Sequence, residues 1–162
     1  MMPPKPERRR SKPRHVIGLA TRTTNAAESD PALGKIAKLW GRFRNENWFD
    51  RLEQAGAFGP PVGVYSAYES DVTGSYQLLV GREVSTPTSP APPLQLVSLP
   101  EASYLVFRRS GSLPQMVIDG WQDVGAHFAG KNAPARAYSF DFEIYPNATN
   151  VEIWVAVRDT KA

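Results

Sequence analysis

Arg136 to Asp159 reads RAYSFDFEIYPNATNVEIWVAVRD, and the reading of this stretch decides the fold. Two runs of β-branched and aromatic residues flank Pro146-Asn147-Ala148-Thr149-Asn150, a cluster of turn formers, which predicts two antiparallel strands joined by a short hairpin. Strand side chains alternate between faces. The first strand therefore sets Tyr138, Phe140, Phe142 and Ile144 on one face and Ser139, Asp141, Glu143 and Tyr145 on the other. In the second strand Val151, Ile153, Val155 and Val157 alternate with Glu152, Trp154 and Ala156. The aliphatic and Phe-rich set is core. The other mixes carboxylates (Asp141, Glu143, Glu152) with aromatic rings (Tyr145, Trp154), which suits an organic cation or the polar end of a flat apolar guest. A solvated face carrying a few rings has the same composition, and the sequence leaves both readings open.

Upstream of the hairpin, one order of elements occurs twice. HVIGLATRTTN, His15 to Asn25, is expected as a strand from its Thr and Val content. A helix follows, with Ser29 and Asp30 as N-cap residues before Pro31, and with Ile36, Leu39, Trp40 and Phe43 at the spacing of one helix face. Gly56, Gly59, Pro60 and Pro61 end it. Gly63 to Asp71 and Ser75 to Val84 then read as two strands about a turn at Thr73-Gly74. Thr86 to Pro93, TPTSPAPP, predicts an extended connection poor in backbone donors. Next come a strand at Ala102 to Arg109 and a helix from about Leu113 to Phe128, with a capping box at Ser112 and Gln115 and a buried stripe of Val117, Trp121, Val124 and Phe128. The hairpin closes the series.

Helix one has IAKLW where helix two has VIDGW, aligning Trp40 with Trp121, and YQLLVGREV lies opposite VEIWVAVRD. The expectation is an α+β domain over residues 15–162 built from two βαββ modules, residues 15–85 and 94–159, related by a pseudo-twofold axis. Its antiparallel sheet is expected to carry both helices on the core side and a ligand groove on the other. Pairing of the halves would set Tyr65, Ala67 and Glu69 across from Asp141, Glu143 and Tyr145, with Glu143 facing Ala67.

A 162-residue chain with 41% hydrophobic residues suits one domain with a substantial core. Its first fourteen residues, MMPPKPERRRSKPR, hold six Lys or Arg against Glu7 alone; that local charge of +5 leaves −2 on the remainder of a chain whose net charge is +3. The pI of about 9.3 thus belongs to the tail, and it carries little weight as a sign of nucleic-acid binding. Rich in Pro and charge, residues 1–14 are expected to stay disordered. No apolar run suits a signal peptide or a membrane span, and Cys is absent, so a cytoplasmic protein without disulfides or thiolate chemistry is expected.

The strings IAKLWGRF, GVYSAYESDVTGSYQLLVGREV, LPEASYLVFRRSG, PQMVIDGWQDV and RAYSFDFEIYPN followed by VEIWVAV resemble the GyrI-like, AraC-type effector-binding domain family, in particular its stand-alone, integron-associated type. The resemblance spans about His15 to Asp159 and keeps the motifs in order. It implies paired βαββ modules enclosing a pocket for lipophilic, often aromatic and cationic, compounds. It also implies an acidic charge partner in the FE-x-Y strand, which falls on Glu143, and pocket-lining aromatics that match Tyr65, Tyr68, Trp40, Trp121 and Trp154. Regulators in this family carry a helix-turn-helix region ahead of the domain. Residues 1–14 are too few for one, so direct sequence-specific DNA binding is not expected.

His15 and His127 are far apart and fit no metal-ligand spacing; no Gly-rich phosphate loop and no G-x-S-x-G elbow occurs. No metal or cofactor is therefore expected, and no membrane partner; the state is monomer or homodimer. Tyr65 and Tyr68 have opposite parity and share a face only if the strand is irregular, parity favouring Tyr65 and the resemblance adding Tyr68. Three functions stay open: small-molecule binding for sequestration or regulation; hydrolysis of strained cyclopropane-bearing natural products, which some family members perform, with Glu143 and Tyr65 or Tyr145 as base and hydrogen-bond donor; and a protein-interaction module such as a gyrase inhibitor. Binding ranks first.

Overall fold

The computed structural model describes residues 5–158. Asp159, the predicted end of the last strand, lies outside them, as do residues 1–4. Eight strands form a single antiparallel sheet: β1 Glu7–Ser11, β2 Arg14–Thr24, β3 Ala57–Ser66, β4 Ser75–Val84, β5 Gln95–Leu99, β6 Ala102–Ser110, β7 Asp141–Asn147 and β8 Asn150–Ala156. Helices α1 Asn25–Glu28, α2 Ile36–Asn45 and α3 Trp48–Gln54 fall between β2 and β3, and α4 Gln115–Phe128 falls between β6 and β7. The predicted order, strand, helix, strand, strand, occurs in both halves.

The strand order is β1-β6-β8-β7-β3-β4-β2-β5, so the two modules mirror one another about the β7·β3 seam. Two short connections give the sheet its shape. β1 joins β2 through Lys12 and Pro13, and β5 joins β6 through Pro100 and Glu101, yet the joined strands stand at opposite ends of the order. Three Cα steps reach at most about 11 Å, whereas six strand spacings in a flat sheet cover about 29 Å. The sheet must curl until its ends approach.

This topology corrects two expectations. Residues 7–11 are not a disordered tail: β1 pairs with β6 from Glu7↔Val106 to Ser11↔Ala102, and backbone pairing at an open edge demands no apolar side chains. β5 was not foreseen either, being short and half-exposed. Each arm strand precedes the first strand of its own module and pairs with the first strand of the other, β1 on β6 and β5 on β2. The repeat unit is thus longer by one strand than its sequence pattern.

Both faces of the curled sheet are buried. On the outer face α2 and α3 set Leu39, Phe43, Trp48 and Leu52 against Ile17, Leu19, Leu78 and Val80, while α4 sets Met116 and Val124 against Leu105, Phe107, Ile153 and Val155. The inner face packs on itself, with Val16, Val64, Leu79, Tyr104, Phe142 and Trp154 in one cluster. Arg14, also placed in the expected tail, lies over the Phe142 and Trp154 rings at 5.0 and 5.4 Å and pairs with Glu83 at 2.5 Å. Gly18 faces Gly81, where a Cβ would stand 2.0 Å or 1.8 Å from a carbonyl oxygen of the opposite strand. Only glycines permit that approach.

Helix starts differ from expectation. Thr24 caps α1 through its side chain, and Asp30 instead bonds the Ala32 N–H within a turn. No capping-box bond forms between Ser112 and Gln115; Gln115 reaches Asp119 along the helix.

Candidate ligand-binding groove

A groove of about 1490 Å³ lies between α2 and α4, on the same face of the sheet as the helices and not on the opposite one. Its floor is Tyr65 from β3 with Glu143 and Tyr145 from β7, and its walls include Trp40 of α2 and Val117 and Trp121 of α4. The expectation of helices on one side and groove on the other assumed a single buried face. Because the inner face fills the curl, the outer face supplies both the helix contacts and the space left between the helices.

Hairpin register separates two residues that the sequence grouped. Glu143 pairs with Ile153 and Phe142 with Trp154, while Asn147 pairs with Asn150, so β7 carries one residue more than β8 between these points. Such a bulge reverses the relative parity of the two strands. Trp154 therefore lies on the inner face, stacked on Phe142 at 5.2 Å, and takes no part in the groove. Pro146, which cannot donate to a ladder, was the signal for the bulge.

Glu143 is 2% exposed and accepts three hydrogen bonds: from Tyr65 Oη (2.9 Å) and Trp121 Nε1 (2.6 Å) on Oε2, and from Tyr145 Oη (2.7 Å) on Oε1. All three donors are neutral, and among the described residues no basic side chain forms an ion pair with it. Burial pushes its carboxyl above the ordinary glutamate range, against the lowering effect of the three bonds. Tyr65 and Tyr145 are pushed up by burial and by the adjacent carboxylate, which keeps them as donors.

The two tryptophans frame this carboxylate reciprocally. Trp40 of the first module meets Tyr145 of the second edge-on at 5.3 Å, and Trp121 of the second meets Tyr65 of the first at 5.2 Å. Glu143 stands opposite Gly63, not Ala67, and Tyr65 stands opposite Asp141. Aligning β4 on β8 as the sequence suggests, with Leu79 on Trp154, makes Val64 equivalent to Phe142 through their pairings. Tyr65 then occupies in one module the place of Glu143 in the other. A Cβ on Gly63 would come within 3.3 Å of both Glu143 Oε1 and Trp40 Cζ2, so this glycine, which the sequence reading passed over, leaves the room the carboxylate uses.

Asp141 shares the parity of Glu143 but has another role. Fully buried, it pairs with Arg136 Nη2 at 2.8 Å, accepts the Ala156 N–H at 2.8 Å and accepts the Tyr68 hydroxyl. These partners leave it tied to the strand backbone and absent from the groove lining. Ala67, at φ 51°, ends β3 and turns Tyr68 toward Tyr76, which resolves the parity conflict with Tyr65. Tyr68 lines a smaller chamber beside the groove. Glu28, also unforeseen, lines both spaces while bonding the N–H groups of Lys35 and Ile36. No group of three or more metal-ligating side chains occurs among the described residues, and none of their helices is long and apolar enough to cross a membrane.

Paired modules on a curled antiparallel sheet, with an aromatic groove over a buried carboxylate, go with an effector-binding protein. Residues 10–157 match the Cass2 family, integron-associated effector binding protein, and the chain belongs to that family. An integron cassette protein from the mobile metagenome of Vibrio cholerae is 31% identical, with 95% of this chain and 96% of that one covered and a TM-score of 0.80. The protein SAV2435, solved bound to tetraphenylphosphonium, is 18% identical with a TM-score of 0.75, covering 95% and 94% of the two chains. A putative transcription regulation protein from Staphylococcus aureus MU50 is 19% identical with a TM-score of 0.72 over 96% and 99%. At the identities of the last two the likeness is one of fold. No curated protein matches the chain.

Proposed function

We propose that this chain binds a lipophilic aromatic cation in the groove between α2 and α4, with Glu143 as charge partner and Tyr65, Tyr145, Trp40 and Trp121 as its aromatic surround. One observation carries the reading: Glu143 is buried beneath the groove with three neutral donors and, among the described residues, no basic side chain ion-paired with it. A carboxylate so placed costs the free protein desolvation energy that a bound cation offsets. Aromatic faces attract a cation with little hydration to lose. Membership of an effector-binding family supports the reading, as does a neighbour of the same fold solved with tetraphenylphosphonium.

Titration calorimetry with methyltriphenylphosphonium and with neutral triphenylphosphine oxide tests this reading. The cation is expected to bind at least about tenfold more tightly, the scale of one charge-assisted contact. Equal affinities would remove Glu143 from the recognition.

A second reading is favoured by one distance. Tyr65 Oη stands 2.9 Å from Glu143 Oε2, so the pair that would serve as hydrogen-bond donor and general base in a hydrolase is already in contact. The same contact positions a pure charge partner, and binding remains the primary reading.

A further inference from the structure

The first module departs from the repeat at one buried charge. With Leu79 aligned on Trp154, Arg82 of β4 falls on Val157 just past β8, so an arginine stands where the other module has an apolar core residue. Arg82 is only 4% exposed and lies on the helix-bearing face with Val80 and Val84. A guanidinium so placed is costly unless its donors are met. The first module also has more chain to hold: three helices between β2 and β3, against one between β6 and β7, and a bulge in β3.

That bulge lies across from Arg82. Phe58 pairs with Glu83 and Val62 with Gly81, so Gly59, Pro60 and Pro61 face Arg82 alone. The two prolines have no N–H for a ladder, and Gly59 takes φ 76°. Arg82 supplies what the ladder lacks. Its Nε–H donates to the Gly59 carbonyl oxygen and its Nη1 to the Phe49 carbonyl oxygen, both at 2.9 Å, while its guanidinium carbon lies 3.8 Å from the centre of the Phe49 ring. Nη2 lies 3.7 Å from the exposed Glu53 carboxylate. One side chain thus ties the first turn of α3 to the β3 bulge. Those two segments are groove wall: Phe49 and Asp50 line the groove from α3, and Pro60 and Pro61 line it from the bulge, whereas Arg82 itself stands behind them. Pro61 is two residues from Gly63, the partner of Glu143, so the wall begins about 7 Å along the strand from the carboxylate's register position.

We propose that Arg82 is the positioning residue of this wall: by holding α3 and the bulge together from behind, it shapes the groove for a bulky guest of several rings and not only for a small cation over Glu143. The inference rests on the cation-binding reading above and adds what sets the size of guest. Lysine cannot take the same part, because a single ammonium lacks the planar fork that reaches two carbonyls while stacking on a ring.

Titration calorimetry with benzyltrimethylammonium and methyltriphenylphosphonium on the full chain and three variants tests the role. Arg82→Met fills the space without donors, and Arg82→Lys keeps the charge. Gly59→Ala leaves Arg82 in place and strains the bulge at a positive φ, with open space around the new methyl. In each variant phosphonium affinity is expected to fall about tenfold, the scale of one aryl face losing its contact, while benzyltrimethylammonium changes by less than about twofold. Amide hydrogen exchange should quicken between Phe49 and Val62 and stay unchanged in α4. An arginine that merely supported the fold would lower both affinities together. Both cations weakened alike, neither weakened, or full phosphonium affinity in Arg82→Lys would each overturn the positioning role and leave Glu143 untouched. Where the Arg82 variants do not fold, Gly59→Ala decides by the same split. Failure of both cations to bind the unaltered chain would overturn the groove reading, and this role with it.

Discussion

Replacing Glu143 by Gln removes one charge and almost nothing else. Two of its three donors, Tyr65 and Trp121, converge on Oε2, so a glutamine carbonyl turned to that side keeps both bonds. Only Tyr145 Oη, bonded to Oε1, would then meet an amide N–H, and a hydroxyl can rotate to accept it. The fold should tolerate the change. Cation affinity should fall by about 1.5–3 kcal/mol, the worth of a contact to a charged group away from water, or about tenfold to a hundredfold. A neutral aryl ligand should change little. The free protein should hold or gain stability. Because Glu143 has a raised carboxyl pKa when folded, the folded state binds the extra proton, and the stability this group supports is present below its unfolded pKa of 4.5 and lost as pH rises through the folded value. The Glu143→Gln variant should therefore melt at the same temperature or higher at neutral pH, with a shallower dependence on pH above 4.5, while the buried Asp141, raised likewise, continues to contribute in both proteins. Affinity runs the opposite way: cation binding by the unaltered chain should weaken as pH falls through the raised Glu143 pKa. Calorimetry and thermal melts across pH read both effects. An unchanged cation affinity in a folded variant would refute the assignment of Glu143.

Trp121→Phe keeps a ring on the groove wall but removes the 2.6 Å bond to Glu143 Oε2, so the pH at which cation binding is lost should move upward; a midpoint that stays put would show that the bond contributes nothing to the charge state. Deleting residues 1–13 strips β1 from β6 and should lower the melting temperature by several degrees, whereas an unchanged melt would mean that the pairing adds no stability. Gly18→Ala places a methyl 2.0 Å from the Val80 carbonyl oxygen and should destabilise the chain severely, as read by urea denaturation; a native-like midpoint would contradict the close approach. Incubated with reactive cyclopropane-bearing compounds, the protein should bind them without turnover above buffer, and turnover lost on changing both Glu143 and Tyr65 would promote the hydrolase reading.

The strand, helix, strand, strand order within each module, the repeat and the carboxylate were legible in the sequence, whereas the arm strands β1 and β5 were not. Ser75–Val84 was legible to the residue because a run rich in Tyr, Leu and Val lies between turn signals at Thr73-Gly74 and the proline segment from Thr86, and Trp40 and Trp121 were legible as a matched pair from helix spacing. Glu143 stood out through family resemblance and through its company of rings. Strand parity, however, says only that neighbours point apart. It does not say which side is the core when both sides are buried, and here the curl buries one face on itself while the helices bury the other. One extra residue at Tyr145-Pro146 then decided that Trp154 joins the inner face and Ile153 stands beside Glu143. The three donors on Glu143 come from β3, α4 and β7, separated in sequence by 78, 22 and 2 residues, and no local pattern announces their convergence. Nor could composition show that Asp141, two residues from Glu143, is paired with Arg136 while Glu143 has no ion pair among the described residues; that difference arises only where the folded chain brings a guanidinium to one carboxylate and three neutral donors to the other.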